Sequence, residues 1–265
     1  MGILKTLIHV HTDYSFDGNV SLETLAWSVA NERIGCIAIT DHNTIEGALR
    51  FRGMTDARVI VGEEVSTTQG HLIGLFLKSP VPPGLSARDT ALAIRAQGGL
   101  VLAPHPFVRF AGCGLRHAAW DLIDLIDAFE IQNAQNFLPH PDWRASRFVE
   151  ETGRIGYVGA DTHRVGTLAP CYQILRTFAG PADFLDALGA ADLCLGYHSL
   201  RYRAVMALQA VRSLAGIPLP ADFGVNARPA CAAGTPSGRC TTLCGPTGRF
   251  SVTAADGRPA ELFGS

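Results

Sequence analysis

A chain of 265 residues with 47% hydrophobic residues can bury one sizeable core, and one domain is the simplest reading. A formal net charge of −2 leaves no basic footprint for non-specific nucleic-acid binding, although a short nucleic-acid end stays open as a substrate. The seven cysteines (Cys36, Cys113, Cys171, Cys194, Cys231, Cys240 and Cys244) are odd in number, and the start MGILKTLIHVHTD carries no export pattern. Together these point to a reducing, cytoplasmic setting without a disulfide framework. No apolar run reaches the roughly 18 residues of a membrane span. The start matches the loose myristoylation pattern at Gly2 and Thr6, but Ile3 and Leu4 read better as the beginning of a strand.

In chain order, KTLIHVH is a strand, and SLETLAWSVANERIG is a helix with Ser21 as N-cap and Leu22, Leu25, Ala26 and Val29 at helical spacing. CIAITDH is a strand and TIEGALRFR a short helix. ARVIVGEEVST and HLIGLFL are two strands joined by TQG. SARDTALAIRAQGG is a helix, LVLAPHP a strand, LRHAAWDLIDLID a helix and AFEIQNA a strand. PDWRASRFVEETG is a helix, RIGYVGADTH a strand, and PADFLDALGAAD and SLRYRAVMALQAVRSLAG are helices. Nearly continuous apolar strands with intervening helices predict a parallel sheet covered by helices, and seven strand-like runs favour an α/β barrel over an open sheet.

Composition shifts near residue 217, towards Pro, Gly, Ala and Thr without periodicity. Residues 1–216 are read as one catalytic domain and 217–265 as a Pro/Gly/Cys-rich, poorly ordered tail, with a docked extension as the competing view. Cys231, Cys240 and Cys244 lie close together there, but their spacing forms no CxxC pair, which disfavours a structural zinc.

Histidines and carboxylates recur where strands stop: His9 and His11, Asp41 and His42, Glu63 and Glu64, His71, His105, Glu130, then Asp161 and His163. In barrels of this class the site sits at the C-terminal mouth, so residues dispersed in sequence would converge there. Alternate strand residues share a face, which lets His9 and His11 reach one cation together; Asp161 and His163 repeat the spacing. Imidazole and carboxylate donors without thiolate suit Zn, Mn or Fe, and so many buried ionisable groups call for a compensating divalent charge.

The motifs HVHTDYSFDG, ITDHNTIEG, VGEEVST…GHLIGLFL, APHPF and GADTH, in that order, closely resemble the PHP (polymerase and histidinol phosphatase) superfamily, nearest to its stand-alone phosphoesterases. The resemblance runs over roughly residues 5 to 200. It implies a distorted (β/α)7 barrel with three divalent metal ions, manganese foremost and zinc or iron as options. One ion would be held by His9, His11, Glu64 and Asp161. A second would share Glu64 and take His71 and His105, and a third would take Asp17, His42 and His163. Asp13, Asp41 and Glu63 are then supporting groups, with Asp41 placed to orient a ligand histidine, and Glu130 either supports the site or caps the barrel. Longer nucleotide-cleaving members carry an inserted helical domain where this chain has only KSPVPPGLSARDTALAIRAQGG.

The chemistry so implied is hydrolysis of a small phosphomonoester, a nucleotide or an oligonucleotide end, with Asp161 and His163 in the catalytic centre. Arg109, in HPFVRF, is the first candidate to grip phosphate through a planar guanidinium, and Arg164 a weaker second. His117, His140 and His198 read as solvent or cap residues and Ser15 as a turn residue. Two other readings stand: a non-catalytic metal-binding module that regulates a partner, and hydrolysis of an amide or another ester.

Overall fold

The computed structural model describes residues 2–109, 112–164, 166, 168–215 and 242–243. Its sheet order is β10-β9-β8-β1-β2-β3-β4-β5-β6-β7. The strands are β1 Ile3–Val10, β2 Cys36–Ile39, β3 Arg58–Thr67, β4 Gly70–Leu75, β5 Leu100–Ala103, β6 Ala128–Asn133, β7 Ile155–Gly159, β8 Tyr172–Arg176, β9 Asp192–Cys194 and β10 Thr242–Leu243. The helices are α1 Leu22–Asn31, α2 Glu46–Phe51, α3 Ala87–Ala96, α4 Ala118–Asp121, α5 His140–Thr152, α6 Pro181–Gly189 and α7 Leu200–Leu214. Ser21 caps α1 as its side chain accepts from the Thr24 amide, and Gly153 ends α5 in the left-handed conformation.

Strands β1 to β7 pair in sequence and then curl back. The Ala160 amide donates to the Ile8 carbonyl and the His11 amide to the Thr162 carbonyl, each within 3.0 Å, so the sheet is nearly closed between β7 and β1. It is not the all-parallel seven-stranded barrel expected. β4 runs antiparallel to both β3 and β5, because only Thr68 and Gln69 separate it from β3, too few for a parallel crossover. On the other side of β1, β8, β9 and β10 extend the sheet antiparallel. The sequence reading missed these strands; β8 and β9 are short and lie among turn residues. The expected helix over LRHAAWDLIDLID shrinks to the single turn of α4.

Of residues 217–265, only Thr242 and Leu243 are described, as the strand against β9. The reading of that segment as a poorly ordered tail, and its cysteine cluster, lie outside the described residues.

Side-chain alternation sorts the sheet into two cores. Leu7, Ile37, Val101, Phe129 and Val158 face outward and pack with helix residues such as Leu25, Phe51, Ile94 and Phe148. Ile8, Ala38, Ile60, Ile73, Leu102 and Tyr157 face inward and meet Phe178 and Phe184, which fill one end of the barrel. Beyond Ile8 along β1, the interior turns from apolar to polar.

Candidate metal centre

The turn to polarity begins at His9. Strict alternation would point His9 outward with Leu7. Instead His9 sits at φ 69°, the β1–β2 register shifts between Leu7 and Val10, and His9 and His11 both enter the interior. His105 (φ 28°) and Asp161 (φ 45°) also hold left-handed backbone. Three site residues in a region that costs non-glycine residues about 1 kcal/mol or more each mark a place where geometry outranks local stability.

Glu64 is the hub. Its Oε1 lies 2.8 Å from His71 Nδ1 and 3.0 Å from His105 Nε2; its Oε2 lies 3.0 Å from His9 Nε2, 3.2 Å from His11 Nε2 and 3.8 Å from His42 Nε2. Asp161 Oδ1 is 3.3 Å from His9 Nε2 and 3.5 Å from His11 Nε2. Asp17 Oδ2 lies 3.2 Å from His163 Nε2 and 3.4 Å from His42 Nε2. Four overlapping groups of donor atoms result: His11, Asp17, His42 and His163; His9, His11 and Asp161; His9, Glu64 and His105; and His42, Glu64 and His71.

Burial alone would raise the Glu64 carboxyl, but the surrounding His42, His9 and His71 hold it well below the usual carboxylate range. Asp161 is likewise raised by burial and overridden by His9 and His11. Burial would lower His9; Asp161, Glu130 and Glu64 reverse this and push it well above its usual value. His105 and His163 are raised against their own burial, His105 by Cys113 and Glu64, His163 by Asp17 and Asp161.

These donors fit divalent ions. Glu130 Oε1 lies 2.8 Å from His9 Nδ1; a carboxylate can only accept, so Nδ1 carries the proton and Nε2 keeps its lone pair for coordination. His11 Nε2 is buried without a hydrogen-bond partner, as expected of a nitrogen kept for a cation. The donor set is nitrogen and oxygen throughout, the chemistry of zinc, manganese or iron.

Around the donors a cavity of about 870 Å³ opens between the loop after β1, the loop after β5, segment 133–141 and α7. Residues 8–96 match the family model of the PHP domain. An uncharacterized protein of Methanocaldococcus jannaschii is 38% identical over 117 residues, which cover 39% of this chain and 68% of that protein. The chain belongs to the PHP domain family.

Solved structures agree on the fold. A two-domain protein of Bacteroides vulgatus containing a predicted PHP-like metal-dependent phosphoesterase superposes with TM-score 0.59 at 15% identity, covering 74% of this chain and 65% of that one. The lesion-specific endonuclease EndoQ of Pyrococcus furiosus superposes with TM-score 0.55 at 11% identity, covering 78% and 66%. About a third of each relative's length therefore lies beyond the match.

The PHP fold brings His9, His11, Asp17, His42, Glu64, His71, His105, Asp161 and His163 into one cluster. Arg109 is exposed and lines the cavity beside it, whereas Arg164 binds Gln209 Oε1 at 3.0 Å and is not among the lining residues. Asp13 is exposed. Asp41 orients no ligand histidine: its oxygens accept from the Thr12 amide (2.6 Å) and hydroxyl (2.8 Å), pinning the chain just after His11. Gly47 allows this, since a Cβ there would meet Asp41 Oδ2 at 2.2 Å. Glu63 points away from the cluster and accepts from the Val81 amide at 2.8 Å.

Two readings are corrected. Ser15 is not only a turn residue. Its buried hydroxyl donates to Asp17 Oδ1 (2.8 Å), accepts from the His42 amide (3.1 Å) and lies 3.3 Å from His11 Nδ1. His198 is no solvent group: it is buried, stacked on Tyr202 at 3.9 Å and 2.9 Å from the Ala160 carbonyl, and burial lowers its pKa to about 4. His117 and His140 are exposed, with His140 on the cavity wall.

Asn133 and Gln135 escaped the sequence reading. Asn133 Nδ2 donates to Glu130 Oε2 and to Asp161 Oδ2, both at 2.9 Å, and Gln135 Nε2 lies 3.4 Å from Asp161 Oδ2. Alternation from Glu130 would send Asn133 outward, but β6 shifts register between Glu130 and Gln132. The amide-rich run QNAQN at a buried strand end was the available signal.

Proposed function

We propose that this protein is a metal-dependent phosphoesterase that hydrolyses a small phosphomonoester, a nucleotide or an oligonucleotide end. The observation that carries the reading is the convergence of nine nitrogen and oxygen donors on Glu64 and its neighbours, at the base of a cavity with Arg109 on its wall. His9, His11, Glu64 and Asp161 would hold one ion, Glu64, His71 and His105 a second, and Asp17, His42 and His163 a third, with manganese foremost and zinc or iron as options. When bound, such ions make water nucleophilic near neutral pH and neutralise phosphoryl charge.

The chain's own groups do the rest. Glu130 keeps His9 in the tautomer that presents Nε2. Asn133 and Gln135 fix the Asp161 carboxylate, and Ser15 fixes Asp17 relative to His42. Arg109 has no described partner and is placed to donate to non-bridging phosphoryl oxygens. No serine is among the described residues that line the cavity, so the reading needs no serine nucleophile. Two structural relatives, a predicted phosphoesterase and an endonuclease, carry names of phosphate-ester chemistry, whereas a third, of Chromobacterium violaceum, is named an amidohydrolase. Among the described residues no helix is long and apolar enough to cross a membrane.

The test is an assay of purified protein with manganese and a generic phosphomonoester. Turnover that inorganic phosphate inhibits and that His9→Ala or Asp161→Ala abolishes is expected. Absence of turnover with every divalent metal would overturn the proposal.

A further inference from the structure

We infer that the ester this site takes carries a single phosphoryl group on an apolar or aromatic alcohol; the inference rests on the phosphoesterase reading above. The cavity beside the donor cluster has unusual walls for a phosphate site. Phe137 and Leu138, from the loop before α5, line it while 55% and 64% exposed. Met206 and Val211 of α7 line it too. Phe16 is 76% exposed and stacks on the His42 ring at 4.9 Å, so an apolar face abuts the ligand shell. Large side chains left in water around a polar centre are an unspent source of binding energy, released when an apolar group covers them.

Charge gives the complementary argument. The cavity is lined by two arginines, Arg109 and Arg203. Arg203 is committed: its Nε donates to the His198 carbonyl at 3.0 Å and its Nη1 to the Asn136 carbonyl at 2.8 Å and the Phe137 carbonyl at 3.2 Å. It ties the loop bearing Phe137 to α7 and thereby builds the apolar wall. Arg109 alone among the lining cations remains for an anion. One phosphoryl group at the cluster is thus provided for, whereas a second phosphate would face Phe and Leu side chains, with the exposed His140 imidazole as the lining donor left to meet it, since the Asn133, Gln135, Asn136 and Gln209 amides are engaged elsewhere.

The test compares kcat/KM for methyl, butyl, hexyl and benzyl phosphate, and for a nucleoside 3′,5′-bisphosphate, all with manganese. The simple alkyl esters share similar leaving groups, so the series reads contact rather than intrinsic reactivity. A rise of at least tenfold from methyl to hexyl or benzyl phosphate, with the bisphosphate below benzyl phosphate, supports the inference. Phe137→Ala and Leu138→Ala should then each lower the benzyl-to-methyl ratio severalfold. Equal turnover along the series, or preference for the bisphosphate, overturns the inference and leaves the phosphoesterase reading standing. Turnover of none of these esters overturns both.

Discussion

Glu64 has five imidazoles within 4 Å of its two carboxylate oxygens. An uncharged isostere there keeps the shape and removes the anion that all five share. Glu64→Gln should therefore cut manganese-dependent turnover by about a thousandfold or more, since the carboxylate belongs to more than one donor group. Retained far-ultraviolet circular dichroism would show that the loss is local. Glu63, its neighbour in sequence, behaves differently because alternation sends it to the other face. Burial raises its pKa from near 4.5 to about 7. A folded acid with a raised pKa holds its proton after the unfolded chain has lost it, so stability falls as pH rises from about 4.5 through 7. Glu63→Gln keeps an acceptor for the Val81 amide and removes the titration. Its stability relative to wild type, followed by denaturant unfolding, should climb between pH 5 and pH 8 by on the order of 2 kcal/mol. A difference independent of pH would show that Glu63 is not buried as described.

At the scale of elements, the histidine and acid pairs were legible because alternation makes an i, i+2 pair share a face. What alternation does not reveal is which face. The bulge at His9 and the irregularity after Glu130 decide that, and neither leaves a glycine or proline to announce it. Asn133 was missed for this reason. Strand β7 carries a related constraint at Gly159. A Cβ there would fall 1.5 Å from Glu130 Oε1, so only glycine lets that carboxylate reach His9. Gly159→Ala should cost about 3 kcal/mol by overpacking, read as a lowered denaturant midpoint, and should weaken manganese binding more than Gly189→Ala, whose nearest neighbour is a side-chain atom at 3.4 Å. Equal effects of the two would argue against the Glu130–His9 contact. Helix α7 is tied to the site by Tyr202, whose hydroxyl accepts from the His163 amide at 2.8 Å and the Arg164 amide at 3.2 Å, and by Gln209, whose Nε2 donates to the Asp17 carbonyl at 3.4 Å. Its amphipathic spacing was visible in sequence, whereas its docking against the end of β7 depends on tertiary contacts that no local pattern encodes.

At the scale of the molecule, the α/β class and the order of β1 to β7 were readable from apolar runs. The antiparallel β4 was hinted at by the short TQG link, and β8 to β10 were hidden by their brevity. The whole structure converges on a cluster whose protons and cations compete. His9, His105 and His163 are raised above their usual values, so without metal they contribute stability at low pH that is lost as pH rises through their folded pKa values. Coordination requires them deprotonated, and metal binding should release protons. The gain in stability on adding manganese, read from the rise in melting temperature, should therefore grow from pH 6 to pH 8, reaching about 4 kcal/mol when manganese exceeds its dissociation constant a thousandfold. A gain that is constant with pH would place the metal elsewhere.

The most direct measurement is anomalous X-ray diffraction from crystals grown with manganese. A metal centre built on Glu64 gives peaks within coordination distance of that carboxylate, with His9, His11, Asp161, His71 and His105 around them. A fully manganese-equilibrated crystal with no peak in this cluster would contradict it.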